Sequence, residues 1–300
     1  MGAPVLDNFC SELAGALSTC LTRRIKRQEI ESLSPSPKKR RQNPDSQQQT
    51  GRSNKVAPVP EEDSLDIEDF VNQYKCSKQP VLIKNVISHW PAISKDSSNI
   101  WSISYFQKIA GYRTVPVEIG SRYTDDDWTQ RLMTINEFID KYVSDYKTNK
   151  KGYLAQHNLF DQVTELKNDF YVPEYCYTGE EDSEDISTNI WLGPSGTISP
   201  LHTDPKHNCL CQVFGKKYVR LYAEDQSEYL AAFDSGILTN TSQLDIEESE
   251  EEIMKSFPNF SKAHGFECIL DAGDILYIPP KCWHFVKSLS VSCSLSFWFQ

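Results

Sequence analysis

The stretch Trp191-Leu-Gly-Pro-Ser-Gly-Thr-Ile-Ser-Pro-Leu-His202-Thr-Asp204 decides how this chain is read. It brings an imidazole and a carboxylate two positions apart at the end of a β-prone run punctuated by Gly and Pro. A second stretch, Gly273-Asp-Ile-Leu-Tyr-Ile-Pro-Pro-Lys-Cys-Trp-His284, ends in another imidazole. Two histidines and one carboxylate are the donor set of the facial triad that holds non-haem Fe(II) and leaves positions open for chemistry. In an extended strand, His-x-Asp puts both side chains on one side. His207 competes as a ligand, but it falls in the Pro205–Asn208 turn, so Asp204 is preferred.

Outward from these residues the pattern is all β. From Ile186, short strands alternate with Gly, Pro, Asp and Ser turns: Thr188–Leu192, Thr197–Pro200, Asn208–Phe214, Lys217–Tyr222, Ile269–Leu270, Ile275–Ile278 and Ser290–Phe299. That spacing predicts an antiparallel sandwich or barrel. Gly215-Lys216 reads as a hairpin turn. In Ser290–Phe299, Val291, Cys293, Leu295, Phe297 and Phe299 share one face, and four serines share the other with Trp298. The apolar face must be packed. The serine face is either solvent or a barrel interior that leaves room for a ligand, with Trp298 as its wall. Lys217 opens its strand beside Lys216, and one of the two must face water. A buried lysine needs an anionic partner, which a small dicarboxylate would supply. Ser199 and Asn208 could add neutral hydrogen bonds close by.

Upstream, helices are expected over Leu65–Tyr74, Ile100–Ala110 and Met133–Tyr146, the last with a Thr134/Glu137 capping box, and strands over Pro80–Ile83 and Thr114–Ile119. The chain therefore divides into 1–62, 63–185 and 186–300. In the first part, residues 5–32 have the spacing of an amphipathic helix. Residues 33–62 are Ser, Pro, Gln, Asn and charge, and should be disordered. Lys38-Lys39-Arg40-Arg41 reads as a nuclear signal, which gives a nuclear, and also cytoplasmic, expectation.

Composition narrows the class. The chain has 300 residues, a formal net charge of −11 and nine scattered cysteines with no CxxC. The charge argues against a nucleic-acid coat, and the cysteines fit reduced thiols in the cytosol or nucleus. Cys209 and Cys211 read as small buried hydrophobes. The acidic runs Glu180–Asp185 and Glu247–Glu252 read as solvated loops. No run approaches the roughly 18 apolar residues that would span a membrane.

Beyond the triad, the segments Thr114-Val-Pro-Val-Glu-Ile-Gly-Ser-Arg-Tyr-Thr, Gly152-Tyr-Leu-Ala-Gln-His, Gly215-Lys-Lys-Tyr-Val-Arg-Leu-Tyr and the closing Ser-Phe-Trp complete a likeness. Over residues 65–300 the chain resembles the jumonji-C family of Fe(II)- and 2-oxoglutarate-dependent oxygenases. The resemblance implies a mainly β fold with flanking helices, a double-stranded β-helix of the jelly-roll or cupin kind. It implies iron on His202, Asp204 and His284, and 2-oxoglutarate on Lys217 with Tyr153, Ser199, Asn208 and Trp298, O2 being the other cosubstrate. Cupins at large carry Gly at the position of Lys281, so the turn before His284 departs from them. The resemblance implies hydroxylation of an arginine in a peptide or protein, with demethylation of a histone methyl-lysine in chromatin as the rival. Glu118, Gln156 and Trp191 lie in the matching segments and would serve arginine; an acidic protein suits a basic peptide partner either way. Two other classes stay open: a zinc hydrolase or peptidase, which shares the donor set but for which no His-Glu-x-x-His motif exists, and an inactive chromatin-binding module.

Overall fold

A computed structural model describes residues 56–300 apart from 126, 145–149, 180–185 and 237. The 5–32 helix, the basic cluster Lys38–Arg41 and the Glu180–Asp185 run lie outside the described residues. The chain opens with β1 (Val56–Pro58) and β2 (Glu61–Glu62). A turn of α1 (Ile67–Asp69) follows and widens into a π-helical turn through Lys75, ahead of β3 (Val81–Ile83). Next come α2 (Ile103–Ala110), β4 (Thr114–Ile119), β5 (Thr129–Thr134), α3 (Ile135–Phe138) with its π-helical extension to Val143, and β6 (Gly152–His157). The rest is β7 (Ser187–Gly193), β8 (Ile198–His202), β9 (His207–Phe214), β10 (Lys217–Tyr222), α4 (Glu250–Ser256), β11 (Gly265–Leu270), β12 (Ile275–Ile278), β13 (Trp283–Ser288) and β14 (Ser292–Phe299).

Among the described residues these strands form two sheets. One has the order β1-β11-β10-β13-β8, and the other β2-β3-β12-β9-β14-β7-β6-β4-β5. Pairing is antiparallel except where β1 joins β11 and β2 joins β3. The mainly β, cupin-like jelly roll with flanking helices is therefore the observed fold.

Strand parity builds the layers. Cys293, Leu295, Phe297 and Phe299 of β14 join Cys209 and Cys211 of β9 in the core on the outer face of the large sheet, beneath the helices. Burial of Phe297, fully enclosed there, is a contribution on the order of 3–5 kcal/mol. Val219, Leu221, Leu276, Ile278 and Val286 fill one end of the space between the sheets. The outer face of the small sheet is covered by the insert between β10 and β11, through Leu244, Ile253 and Phe260.

Several expectations are corrected. Paired structure begins at Val56, not 63, because β1 and β2 each add a parallel edge strand. Residue 186 is not a break, since β3 and β6 share the large sheet with β7, β9, β12 and β14. Gly215-Lys216 is not a hairpin turn: β9 and β10 lie in different sheets, and the turn carries the chain between them. Gly215 has φ +74°, and a Cβ there would meet the Val291 carbonyl oxygen at 2.2 Å. The helix expected from Met133 starts at Ile135, its Thr134/Glu137 capping box in place, while Met133 and Thr134 end β5.

Candidate active site

The ligand-bearing strands are shaped by one proline. Pro200 has no N–H for the β8–β13 ladder, and the register slips there: His284 faces His202, while Val286 faces Ser199. The freed Pro200 carbonyl accepts the Nδ1–H of His202 at 2.7 Å. His284 Nδ1 is likewise 3.0 Å from the Cys282 carbonyl. Each bond fixes a tautomer that presents Nε2 as the free donor, the arrangement found around metal-binding imidazoles. Asp204 follows the end of β8. Its carboxylate oxygens lie 3.9 Å from His202 Nε2 and 3.6 Å from His284 Nε2. These separations are too long for hydrogen bonds, but the three donor atoms all lie within 4.8 Å of one another and can share one ion. The two rings stand 4.2 Å apart, centroid to centroid.

The electrostatics agree. Burial, aided by the neighbouring His284, pushes His202 down to about 4, which keeps its lone pair available at neutral pH. Burial pulls His284 down as well, but the Asp204 carboxylate more than offsets it and holds His284 above its ordinary value. Asp204 itself is held low by both imidazoles against the opposing effect of burial. Once a metal displaces the proton that Asp204 favours on His284, two imidazoles beside one carboxylate form a ligand set for a divalent cation.

A cavity between the sheets adjoins the triad. Lys217, Ser199 and Val286 line it from the small sheet, and Tyr153, Trp191, Asn208, Leu210 and Ile278 from the large one. Lys217 is the buried member of its pair; it is 1% exposed, while Lys216 reaches out to Asp271 at 2.6 Å. Lys217 Nζ donates to the Tyr153 hydroxyl at 3.3 Å. Burial drives Lys217 down to about 7, partly countered by Cys293, and burial with Glu118 nearby raises Tyr153. The Asn208 Oδ1 and Trp298 Nε1 atoms are also buried without a hydrogen-bond partner. A cationic end with the unused Asn208 Oδ1 near it fits a small carboxylate.

The structure thus brings His202, Asp204, His284, Lys217, Tyr153, Ser199, Asn208 and Trp191 to one cavity. Trp298 is not a wall of that cavity. It stands opposite Asn208 on the inward face of β14. The serine face is interior but not vacant: Ser294 donates to Gln212, Ser292 to Ser288, and Ser296 accepts from Trp191. Glu118 pairs with Tyr153 across β4 and β6 and accepts from Trp128 Nε1 at 3.3 Å. Gln156 is exposed at φ +48°, within the irregular part of the β6–β7 ladder, and does not line the cavity. Four residues are not among those read from the sequence: Leu210, Ile278 and Val286, legible from the parity of β9, β12 and β13, and Tyr123, whose ring stands edge-on to His202 at 6.5 Å. Tyr123 lies in the Thr114–Thr124 segment that carries the likeness, which is the signal that could have found it.

Comparison with known proteins agrees with this geometry. A family model described as a cupin-like domain matches residues 67–300. The chain is 50% identical over 234 residues to lysine-specific demethylase 8 of Xenopus tropicalis, covering 78% of this chain and 51% of that protein. It is 42% identical to lysine-specific demethylase 8 of Danio rerio, over all of this chain and 72% of the relative. It is also 42% identical to Jumonji C domain-containing protein 5 of Drosophila melanogaster, over 81% of this chain and 60% of the relative. The chain thus spans between half and three quarters of the length of these relatives. With a matching domain, a converging His-Asp-His set and a lysine-ended cavity, the chain belongs to the cupin-like jumonji-C family of Fe(II)- and 2-oxoglutarate-dependent oxygenases.

Proposed function

We propose that this chain is a 2-oxoglutarate-dependent dioxygenase that oxidises a basic side chain of a protein. The observation that carries the proposal is the cavity with a metal-ligand set at one end and a buried, under-partnered lysine at the other. His202, Asp204 and His284 would hold the iron. Lys217 would meet the distal carboxylate of 2-oxoglutarate, with Tyr153, Ser199 and Asn208 beside it. A bound ferrous ion with this cosubstrate supplies the means of activating O2 to oxidise a C–H bond. The protein's own part is positioning and exclusion of water: Leu210, Ile278 and Val286 keep the cavity dry, and the His202 and His284 tautomers are preset by backbone carbonyls.

We assign the substrate as a methylated lysine, in a histone tail or another protein, which would lose a methyl group after hydroxylation beside nitrogen. Two relatives carry the name lysine-specific demethylase, and the aromatic rings of Tyr123 and Trp191 suit an alkylammonium. A second reading, arginine hydroxylation, is favoured by Glu118, a carboxylate on the Tyr153 side of the sheet that could pair with a guanidinium. The net charge of −11 suits a basic peptide in both cases. The nuclear setting rests on Lys38–Arg41 alone.

The test is mass spectrometry of methyl-lysine and arginine peptides incubated with the protein, iron, ascorbate and 2-oxoglutarate. A peptide lighter by one methylene supports demethylation, and one heavier by one oxygen on arginine supports the second reading. If no peptide changes and no succinate accumulates, the oxygenase assignment fails.

A further inference from the structure

The β4–β5 turn and the insert between β10 and β11 are remote in sequence, yet they meet beside the triad. The insert runs along the ligand-bearing segment: Ser242 N–H donates to the Leu201 carbonyl, and Thr203 N–H to the Asn240 carbonyl, each at 2.8 Å. Thr241 therefore sits directly across from His202. From the other side, the turn lays the Tyr123 ring edge-on to His202, and the Tyr123 hydroxyl is 3.2 Å from Thr241 Oγ1. One residue before Tyr123, the Arg122 guanidinium forks onto two carboxylates of the insert, Asp245 at 2.5 Å and Glu247 at 3.2 Å. Glu247 is also held by Lys287 of β13, the strand that carries His284. Behind this junction lies a groove of about 330 Å³, on the outer face of the small sheet between Pro200, Phe285 and the insert.

An isolated exposed ion pair would do little here. This one differs in three respects. The guanidinium is four-fifths covered, it engages two carboxylates at once, and a third strand anchors one of them. Arg122 and Asp245 themselves line the groove, so the fork joins the turn to the insert across open space.

We propose that Arg122 is a positioning residue: its fork onto Asp245 and Glu247 latches the β4–β5 turn to the insert, and so fixes Tyr123 as the substrate-side wall over His202. Arg122 touches neither the metal ligands nor the cosubstrate cavity, and it acts through Tyr123. Its consequence for turnover rests on the oxygenase reading above; the latch itself does not.

The test compares the native chain with Arg122→Gln, with the double variant Asp245→Asn/Glu247→Gln, and with all three changes together. Hydrogen exchange, read without substrate, is expected to speed up about tenfold in both 120–125 and 238–247 in every variant, with the sheets unaffected. The KM for the basic peptide should rise about tenfold, while the KM for 2-oxoglutarate stays within about twofold. The triple variant should be no worse than Arg122→Gln, because the partners act as one unit. Unchanged exchange, faster exchange throughout the fold, equal rises in both KM values, or additive effects in the triple variant would each overturn the latch. If the native chain oxidises no peptide, the oxygenase reading falls, and the exchange data decide the latch by themselves.

Discussion

Two buried polar centres in this molecule look alike by burial and differ in everything else. Asp169, fully enclosed among the aromatic rings around Trp101 and Phe170, accepts from Asn99 at 2.9 Å, Trp101 Nε1 at 3.0 Å and the Tyr105 hydroxyl at 2.7 Å. Lys217, equally enclosed between the sheets, has a single long contact to Tyr153, and orphan atoms of Asn208 and Trp298 lie nearby. The first centre is complete and ties loops and α2 into the fold. The second has bonding capacity that the protein's own groups do not use and that a bound carboxylate would meet. Burial alone does not mark function here; a lysine-ended cavity beside a metal-ligand set does.

The contrast can be broken experimentally, and the largest effect is expected at the ligands. His202→Ala should abolish turnover while the thermal transition remains cooperative; retained turnover would reject the triad. Next comes Lys217→Met. It should raise the 2-oxoglutarate requirement by about a hundredfold or more, roughly 3 kcal/mol. It should also raise stability by about 1 kcal/mol, because an unpaired cationic group leaves the interior. Denaturant melts and cosubstrate titrations together read both signs, and a destabilised variant with normal cosubstrate binding would reverse the assignment. Asp169→Asn should do the opposite: a stability loss of about 2 kcal/mol with an unchanged 2-oxoglutarate KM.

The smallest effect is a proton. Burial places Lys217 at about 7 in the empty site, and a bound carboxylate would restore its charge. Binding at about pH 8 should therefore take up close to one proton, binding at about pH 6 almost none, and affinity should fall as pH rises above about 7. Calorimetry in two buffers of different ionisation enthalpy measures the uptake. The trend should vanish in Lys217→Met; uptake that does not vary with pH would remove Lys217 from the dicarboxylate end.

The sequence carried the triad because each ligand ends or follows a β-prone run with turn signals around it, and it carried Lys217 because one of two adjacent lysines had to point inward. The parity of β14 gave its packed face and its serine face. Whether those serines faced a void or one another depended on Gln212 and Trp191, which arrive from other strands. The β5 strand, Thr-Gln-Arg-Leu-Met-Thr, was missed because an exposed edge need not alternate. The acidic run at 247–252 resembled a solvated loop. In the fold Ser249 caps α4, which begins with three glutamates that complement its N-terminal dipole, and Glu247 binds Arg122 and Lys287. The cap is legible locally as Ser249-x-x-Glu252, but the pairing of Glu247 with Arg122, 125 positions away, is encoded by no local pattern.

The turn before His284 joins the two segments that carry the metal ligands. Lys281 takes φ +60°, a left-handed conformation in which glycine would be unstrained, and its N–H reaches the Asp204 carbonyl at 2.7 Å. Its ammonium meanwhile grips Glu224 at 2.9 Å. The two halves of the ligand set are thereby stapled by backbone before any ion arrives. The strands that carry the imidazoles are bound into the sheets, so during heating a bound metal would leave when the jelly roll melts and not at a lower temperature.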